Sequence, residues 1–158
     1  MIKLNKKDME ILNLLQKDSK QSIKEIARKV NSPITTVFDK IKRMEKLGII
    51  KYYKAILDSA KLDKGTTAFI LVSFVYRLNG SEEPLSQMDV VKDIARFPQV
   101  QELYIVSGDW DILMKIKEKD VDSVGNFITN NLRKIKGVEK TLTFFNFHAI
   151  KETTEIHI

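Results

Sequence analysis

The stretch SIKEIARKVNSPITTVFDKIKRMEKLGII, residues 22–50, predicts two short helices joined by a tight turn. Ser22 and Glu25 have the spacing of a capping box, in which each side chain accepts a hydrogen bond from the other residue's backbone N–H. Asn31 supplies the sharp turn with a residue that tolerates left-handed backbone. Two helices around such a turn are typical of a helix-turn-helix, a module that places its second helix in the major groove of DNA.

The second helix of this pair has one apolar and one polar face. Ser32 and Pro33 predict its start, as N-cap and first-turn residue, and Gly48 predicts its end. The apolar face, at helical spacing, consists of Val37, Ile41, Met44 and Leu47. On the polar face, short side chains are expected to meet base edges and longer cations to meet phosphates. Including the preceding helix, the candidate DNA-binding residues are Ser22, Ser32, Pro33, Thr35, Thr36, Asp39, Lys40, Lys42, Arg43 and Lys46.

The N-terminal third of the chain is strongly basic. A further helix, with Asn5 as its predicted N-cap, precedes the pair and completes a three-helix unit over residues 1–50. Residues 1–57 contain 14 Lys or Arg against 6 Asp or Glu, a net charge of +8, whereas residues 58–158 contain 13 against 15, a net charge of −2. This segregation indicates a polyanion-binding part and a remainder with another task. A merely solvated Lys-rich helix is the alternative for the basic face.

The composition argues against a catalytic or metal-binding protein. There is no Cys, and the two histidines, His148 and His157, lie late in the sequence. No Gly-rich phosphate loop, metal-ligand cluster or activated nucleophile stands out, so we predict no catalytic residue, no metal and no cofactor. The sequence shows no signal-peptide pattern and no apolar run of membrane-spanning length, which favours a cytoplasmic protein without membrane contact.

The remainder alternates between strands and helices. Residues 51–65 are predicted to form a linking strand, KYYKAIL, and a connector. Residues 66–158 then have the pattern strand, helix, strand, strand, helix and strand, with the last strand extending to Ile150. This βαββαβ order is that of a ferredoxin-like sandwich, in which helices cover one face of an antiparallel sheet. The predicted fold class is therefore α+β, with a helix-turn-helix domain over 1–50 and a second domain over 66–158.

A second candidate site is the turn Ser107-Gly108-Asp109-Trp110-Asp111. As structure alone it is a hairpin turn, in which Gly supplies a positive φ and Asp supplies turn hydrogen bonds. Exposed N–H groups flanked by carboxylates could also hold both ends of a zwitterion, with amides on its carboxylate and a carboxylate on its ammonium. The spacing of the two aspartates fits this hairpin better than a catalytic carboxylate pair.

With both halves considered, the chain resembles the leucine-responsive regulatory protein (Lrp)/AsnC family of transcription regulators over nearly its whole length. The matching segments, in order, are EIARKV, VFDKIKRMEKLGII, YKAILD, SGDWD and GVEKTLT. The resemblance implies a winged-type helix-turn-helix joined by a strand to a ferredoxin-like effector domain, and homodimers that often assemble into tetramers or octamers. It also implies that an amino acid or related metabolite binds near the SGDWD turn and near Thr141 and Thr143, and changes assembly or the spacing of the DNA-binding units.

Three features depart from the family pattern. Pro33 stands where the family usually has the cap hydroxyl of its DNA-reading helix, with Ser32 one residue earlier. Tyr52 stands where the family often has Gly. The loop 79–87 is longer than usual, and the sequence assigns it no role.

The sequence thus predicts a sequence-specific DNA-binding transcription regulator whose partners are double-stranded DNA, further copies of itself and an amino acid. One alternative is an effector-independent architectural protein, which would bind DNA broadly and ignore amino acids. Another is a tetrapyrrole decarboxylase on the same scaffold, which would require catalytic His and Arg groups in the second half. The arginines of that half are Arg77, Arg96 and Arg133.

Overall fold

The computed structural model describes residues 3–77, 80 and 83–158, and it divides into two compact units. One unit, here called the head, is the chain up to Ile56 together with Lys151–Ile158; the other, the body, is Leu57–Ile150. Residues 151–158, which the sequence analysis placed in the second domain, therefore cluster with the head. Within the described ranges, no helix is long and apolar enough to cross a membrane.

The head is built from three helices: α1 (Lys6–Lys17), α2 (Ile23–Lys29) and α3 (Ile34–Lys46). Capping boxes begin the first two helices as predicted, between Asn5 and Asp8 in α1 and between Ser22 and Glu25 in α2. Helices this short are marginal alone, so the burial of their apolar faces holds the head together. The buried head core consists of Ile11, Leu12, Ile26, Ala27, Val30, Val37, Ile41 and Met44.

A Schellman motif ends α2 and forms the tight turn. Asn31 takes φ 47°, in the left-handed region as predicted, and the N–H of Ser32 donates to the carbonyl of Ala27 at 3.0 Å. Because Ser32 completes this motif, the prediction that it caps α3 is wrong: Pro33 is the N-cap, and no side chain caps the helix. The Ser32 hydroxyl instead lies 3.4 Å from the carbonyl oxygen of Val30.

The segment that follows α3 is not the strand that the sequence predicted. Gly48, at φ 69°, ends α3 as expected, and residues 51–57 are then exposed and pair with no strand of the described chain. A strand needs a neighbouring strand for its N–H and C=O groups, and this segment has none among the residues that the structure describes. A 3₁₀ turn (Ala60–Leu62) leads into the body.

The body contains a four-stranded antiparallel sheet with two helices on one face. Its elements, in chain order, are β1 (Thr66–Phe74), α4 (Gln87–Ala95), β2 (Val100–Ile105), β3 (Ile112–Glu118), α5 (Val121–Asn130) and β4 (Val138–Phe145). The strand order β2-β3-β1-β4 confirms the predicted ferredoxin-like α+β fold. Residues 78, 79, 81 and 82 are not described, so the loop 79–87 lies partly outside the described residues.

The last strand is shorter than predicted because the strand that pairs with it begins only at Thr66. β4 pairs with β1, whose first residue is Thr66, and the final hydrogen bond of this ladder joins the N–H of Asn146 to the carbonyl of Thr67 at 3.0 Å. Beyond Asn146 no described strand lies beside the chain, so β4 ends at Phe145 rather than at Ile150.

The two faces of the sheet differ in what covers them. Alternate residues of β1 and β3 form the body core beneath α4 and α5; the central ones are Ala68, Ile70, Val72, Ile112, Met114 and Ile116. The other face, here called the open face, is also apolar at its centre. By strand register it carries Phe69, Leu71, Tyr104, Leu113, Leu142 and Phe144.

Residues Lys151–Ile158 are hydrogen-bonded to α1 of the head. The side-chain amide of Gln16 accepts from the N–H of Ile156 at 2.6 Å and donates to the carbonyl of the same residue at 3.0 Å. Asn13 donates to the carbonyl of Ile158 at 3.3 Å. Gln16 thus pairs with this backbone as a neighbouring strand would.

Candidate functional site

The outer face of α3 carries most of the predicted DNA-binding residues. Those that are exposed are Thr35, Thr36, Asp39, Lys42, Arg43 and Lys46. Sequence reasoning missed two apolar residues on this exposed surface, Ile34 (50% exposed) and Phe38 (44% exposed), which lie one helical turn apart. The signal was present in the sequence, because this pair falls outside the stripe of Val37, Ile41 and Met44 that enters the core.

Lys42 lies on this surface beside Phe38. Its side chain is 58% exposed, and its ammonium lies 2.8 Å from the carboxylate of Glu45 and 5.9 Å from the centroid of the Phe38 ring. Hydrogen bonds from Lys42 and from the hydroxyl of Tyr53 hold the pKa of Glu45 below its usual value. Water screens an exposed ion pair of this kind, so Lys42 can leave Glu45 for a stronger anion at little cost.

The other exposed cations and the start of α3 are also accessible to an anion. Arg43 donates to the carbonyl oxygen of Lys3 at 3.3 Å. Lys46 has no ion-pair partner among residues 3–77, 80 and 83–158. Because Pro33 offers no side-chain acceptor, the first N–H groups of α3 are left without a side-chain cap. Such groups lie at the positive end of the helix dipole and attract negative charge.

Lys40 differs from the other candidate residues. Its ammonium lies 2.7 Å from the carboxylate of Asp8, and the two side chains are 18% and 2% exposed. Burial alone would raise the pKa of Asp8, but the N–H of Asn5 and the ammonium of Lys40 more than offset this, so the pKa lies below its ordinary value. The ion pair of Lys40 with Asp8 therefore links α3 to α1. The hydroxyl of Ser22 is engaged as well, in the capping box with Glu25.

The turn of residues 107–111 joins β2 to β3 and is anchored by its last residue. Gly108 takes φ 121°, a conformation that side chains other than Gly rarely adopt. The carboxylate of Asp111 accepts hydrogen bonds from the N–H of Phe74 at 2.7 Å and from the hydroxyl of Tyr76 at 3.3 Å. Asp111 is thus held at the end of β1. Ser107 and Asp109 are exposed, and Trp110 and Asp111 are half-buried.

Thr141 and Thr143 lie on β4, at the edge of the sheet. Thr141 pairs with Val72 of β1, and its hydroxyl accepts a hydrogen bond from Arg133 at 3.4 Å. On the other side of β1, the N–H of Asp111 donates to the carbonyl of Val72 at 3.1 Å. The predicted turn and Thr141 therefore lie at the same end of the body, with one strand between them, a separation of about 10 Å.

Other parts of the described chain offer no comparable constellation. No group of three or more His, Cys, Asp or Glu that could hold a metal ion occurs among the described residues, and His148 and His157 are exposed. A cleft of about 800 Å³ lies elsewhere on the body, between α4 and residues 134–136. Acidic and basic side chains, including Asp93 and Arg96, line this cleft, and none of the predicted effector residues does.

An exposed cation-rich helix in a helix-turn-helix, carried by a chain that also has a ferredoxin-like unit, is typical of a two-domain DNA-binding regulator. Residues 4–51 match the winged helix-turn-helix DNA-binding family, and residues 67–156 match the Lrp/AsnC ligand binding domain. The chain belongs to the Lrp/AsnC family, as the resemblance implied, and it is a DNA-binding transcription regulator rather than an enzyme.

Relatives match this chain over nearly its whole length. It is 37% identical over 149 residues to an uncharacterized HTH-type transcriptional regulator of Pyrococcus furiosus, covering 94% of this chain and 96% of that one. A transcriptional regulator of Neisseria meningitidis, solved as a complex with L-Met, has a TM-score of 0.87 at 25% identity and covers 98% of this chain and 97% of its own. An AsnC family transcriptional regulator of Agrobacterium tumefaciens has a TM-score of 0.88 at 27% identity, with the same two coverages.

Proposed function

We propose that α3 lies in the major groove of DNA and that an amino acid, bound by the body, modulates the transcriptional effect of this binding. The observation that carries the proposal is the outer face of α3, on which hydroxyl groups and cations are exposed and unused by the head core. A net charge of +8 over residues 1–57 favours a polyanion for the same surface.

The residues of α3 divide between phosphate and base contacts. We assign the phosphate contacts to Lys42, Arg43 and Lys46, whose long side chains position the helix without reading sequence. The uncapped N–H groups that follow Pro33 suit a further phosphate. Base edges are assigned to the short side chains near the start of the helix, Thr35, Thr36 and Asp39. Lys40 is left out of the DNA contacts because its charge is committed to Asp8.

A salt titration of DNA binding tests this assignment. Each cation that neutralises a phosphate releases a counterion, so removing one such cation changes the slope of log K against log salt by about 0.9. We expect the Lys42→Ala, Arg43→Ala double variant to bind all duplexes more weakly and to flatten the slope by about 2 for each bound head, which is about 4 for a dimer on two half-sites. The measurement is a mobility-shift titration at several salt concentrations.

Lys92→Ala is the matched control for this titration. Lys92 is 63% exposed and pairs with Asp89 three residues earlier at 3.0 Å, much as Lys42 pairs with Glu45, but it lies on α4 of the body. This control is expected to keep the wild-type slope. An unchanged slope in the double variant, or an equal flattening in the control, contradicts the phosphate assignment.

Two observations support an amino acid as the effector. The Neisseria meningitidis regulator, a structural neighbour of this chain, was solved with L-Met. In this chain, the turn of residues 107–111 combines exposed backbone with the exposed carboxylate of Asp109, chemistry that suits the two charges of a zwitterion. We assign the ammonium to Asp109 rather than to Asp111, because the latter already accepts two hydrogen bonds. Thr141 and Thr143 are the further candidates for polar contacts.

The open face of the sheet supports self-association. Apolar residues of this face on β1 and on both edge strands are exposed in the single chain: Phe69, Tyr104, Leu142 and Phe144. A contiguous apolar patch of this kind favours a partner surface that removes it from water. We therefore propose a homodimer through the open face, able to assemble further into tetramers or octamers in the cytoplasm.

A further inference from the structure

The outer face of α3 contains two apolar side chains that the proposed phosphate and hydroxyl contacts do not use. Ile34 and Phe38 are half-exposed, although the core-facing side of the same helix is fully packed. They are four residues apart, so they form one stripe about 6 Å long on the helix surface. Burying such a stripe against a partner is favourable, so the surroundings of the stripe have to indicate which kind of partner it binds.

The surroundings of the stripe show which partner it suits. The ammonium of Lys42 lies 5.9 Å from the centroid of the Phe38 ring, and the exposed residues Thr35 and Asp39 flank the same surface. The partner must therefore combine negative charge with an apolar feature. In the major groove of duplex DNA, the apolar group on the base edges is the C5-methyl of thymine. The aromatic ring of Phe38 could therefore contact the methyl group of a thymine, while the neighbouring ammonium of Lys42 contacts a phosphate.

We propose that Phe38, with Ile34 beside it, contacts thymine C5-methyl groups in the major groove and so sets part of the DNA sequence preference. The proposal rests on the proposed placement of α3 in the groove. Side chains about 6 Å apart along the helix correspond to about two base-pair steps of 3.4 Å, so the two contacts reach thymines about two base pairs apart. The preferred binding site contains thymines at that spacing.

Replacement of thymine by deoxyuridine tests the contact, because it removes the C5-methyl group and keeps the hydrogen-bonding edge. A duplex is selected from a random pool with the wild-type protein, and its thymines are then replaced one at a time. We expect about a fourfold loss of affinity at each contacted position, the ratio that corresponds to one buried methyl-sized group. In Phe38→Ala the thymine-to-uracil affinity ratio at one such position should fall to about one, while Phe38→Leu should retain part of it.

Tyr52→Ala is the matched control. Tyr52 is an exposed aromatic residue of the head with the ammonium of Lys54 5.8 Å from its ring, but it lies outside α3. This variant should keep the wild-type ratio. The dependence of affinity on salt concentration is also measured for every variant on the selected duplex. A Phe38→Ala protein with the wild-type salt slope has kept its phosphate contacts, so its loss of thymine preference is then due to the missing ring.

Several results overturn the proposal. They are a selected site without thymine, equal affinity of the wild-type protein for thymine and uracil duplexes, and a Phe38→Ala protein that keeps the wild-type ratio. If that variant keeps the ratio but changes its sedimentation coefficient, the apolar stripe belongs to an interface between copies of the chain. Failure of the wild-type protein to bind any duplex contradicts the proposed function itself, which separates the two claims.

Discussion

At the scale of single residues, the ion pair of Asp8 and Lys40 links the stability of the head to pH. The carboxylate of Asp8 also accepts the N–H of Asn5 at 2.9 Å, and the pKa of Asp8 lies below its ordinary value of 3.8. A carboxyl group with a lowered folded-state pKa stabilises the fold above the unfolded-state pKa. Its contribution to the free energy of unfolding is therefore complete above about pH 4 and is lost as the pH falls through the folded-state value.

An Asp8→Asn variant should reveal this contribution. At pH 7 we expect its free energy of unfolding to be about 1–3 kcal/mol below wild type, because Lys40 loses a charged acceptor. The difference from wild type should shrink as the pH falls from about 4 toward the lower folded-state pKa of Asp8, because the wild-type carboxyl group then becomes protonated too. Urea unfolding followed by circular dichroism at pH 7 and pH 3 measures it. Asp39→Asn, at an exposed position on α3, is the control, and equal effects of the two variants would contradict the role of the pair.

At the scale of elements, hydrogen bonds between residues close in sequence were predictable, and longer-range ones were not. The capping box of Ser22 and Glu25 and the left-handed turn at Asn31 depend on neighbours within four positions, so the sequence predicted both. Ser32 could not be assigned in the same way, because the end of α2 and the start of α3 compete for it. Residues 51–57 have strand composition, but composition does not supply a pairing partner.

Packing distinguishes residues within the candidate sites that the sequence treated alike. Apolar residues in a helix are assigned to the core by default, which hid Ile34 and Phe38. In the turn, the sequence treats Asp109 and Asp111 alike. The hydrogen bond that distinguishes them joins Asp111 to a backbone N–H 37 residues away, and no local pattern signals it. The βαββαβ order, in contrast, follows from periodicity along the whole body and was predicted correctly.

A thermal-shift screen against the twenty amino acids tests the turn as an effector site. A ligand that binds the folded state raises its stability, by about 2.7 kcal/mol at a concentration one hundred times Kd. We expect a small number of amino acids to raise Tm, and Asp109→Asn to abolish the shift. Asp93→Asn, which removes an exposed carboxylate from the separate 800 Å³ cleft, should keep it. Loss of the shift in Asp93→Asn alone would assign the ligand to that cleft, and a flat screen would favour regulation without an effector.

At the scale of the whole molecule, the proposed homodimer depends on the open face of the sheet. Leu142 lies on this face in the edge strand β4, where it is 41% exposed and pairs with Leu71 of β1. A charge at this position should prevent two sheets from packing together while leaving the fold of one chain intact, since burying an unpaired charge is costly.

We therefore expect Leu142→Glu to lower the mass measured by sedimentation equilibrium to that of a single chain. Its affinity for a duplex with two half-sites should fall more than its affinity for one half-site, because the two heads no longer bind as a linked pair. Leu62→Glu is the control, at an exposed leucine outside the open face. A variant that keeps the wild-type mass would show that the copies associate through another surface.

Because residues 151–158 belong to the head, the head cannot form all of its hydrogen bonds until the body has been synthesised. The hydrogen bonds of Gln16 with Ile156 join residues 140 positions apart. The head core lies within Ile11–Met44, so the three helices can pack while the ribosome is still translating the body. The hydrogen bonds on the outer side of α1 form later, after all four strands have been made. A nascent chain therefore presents α3 before its own head is finished.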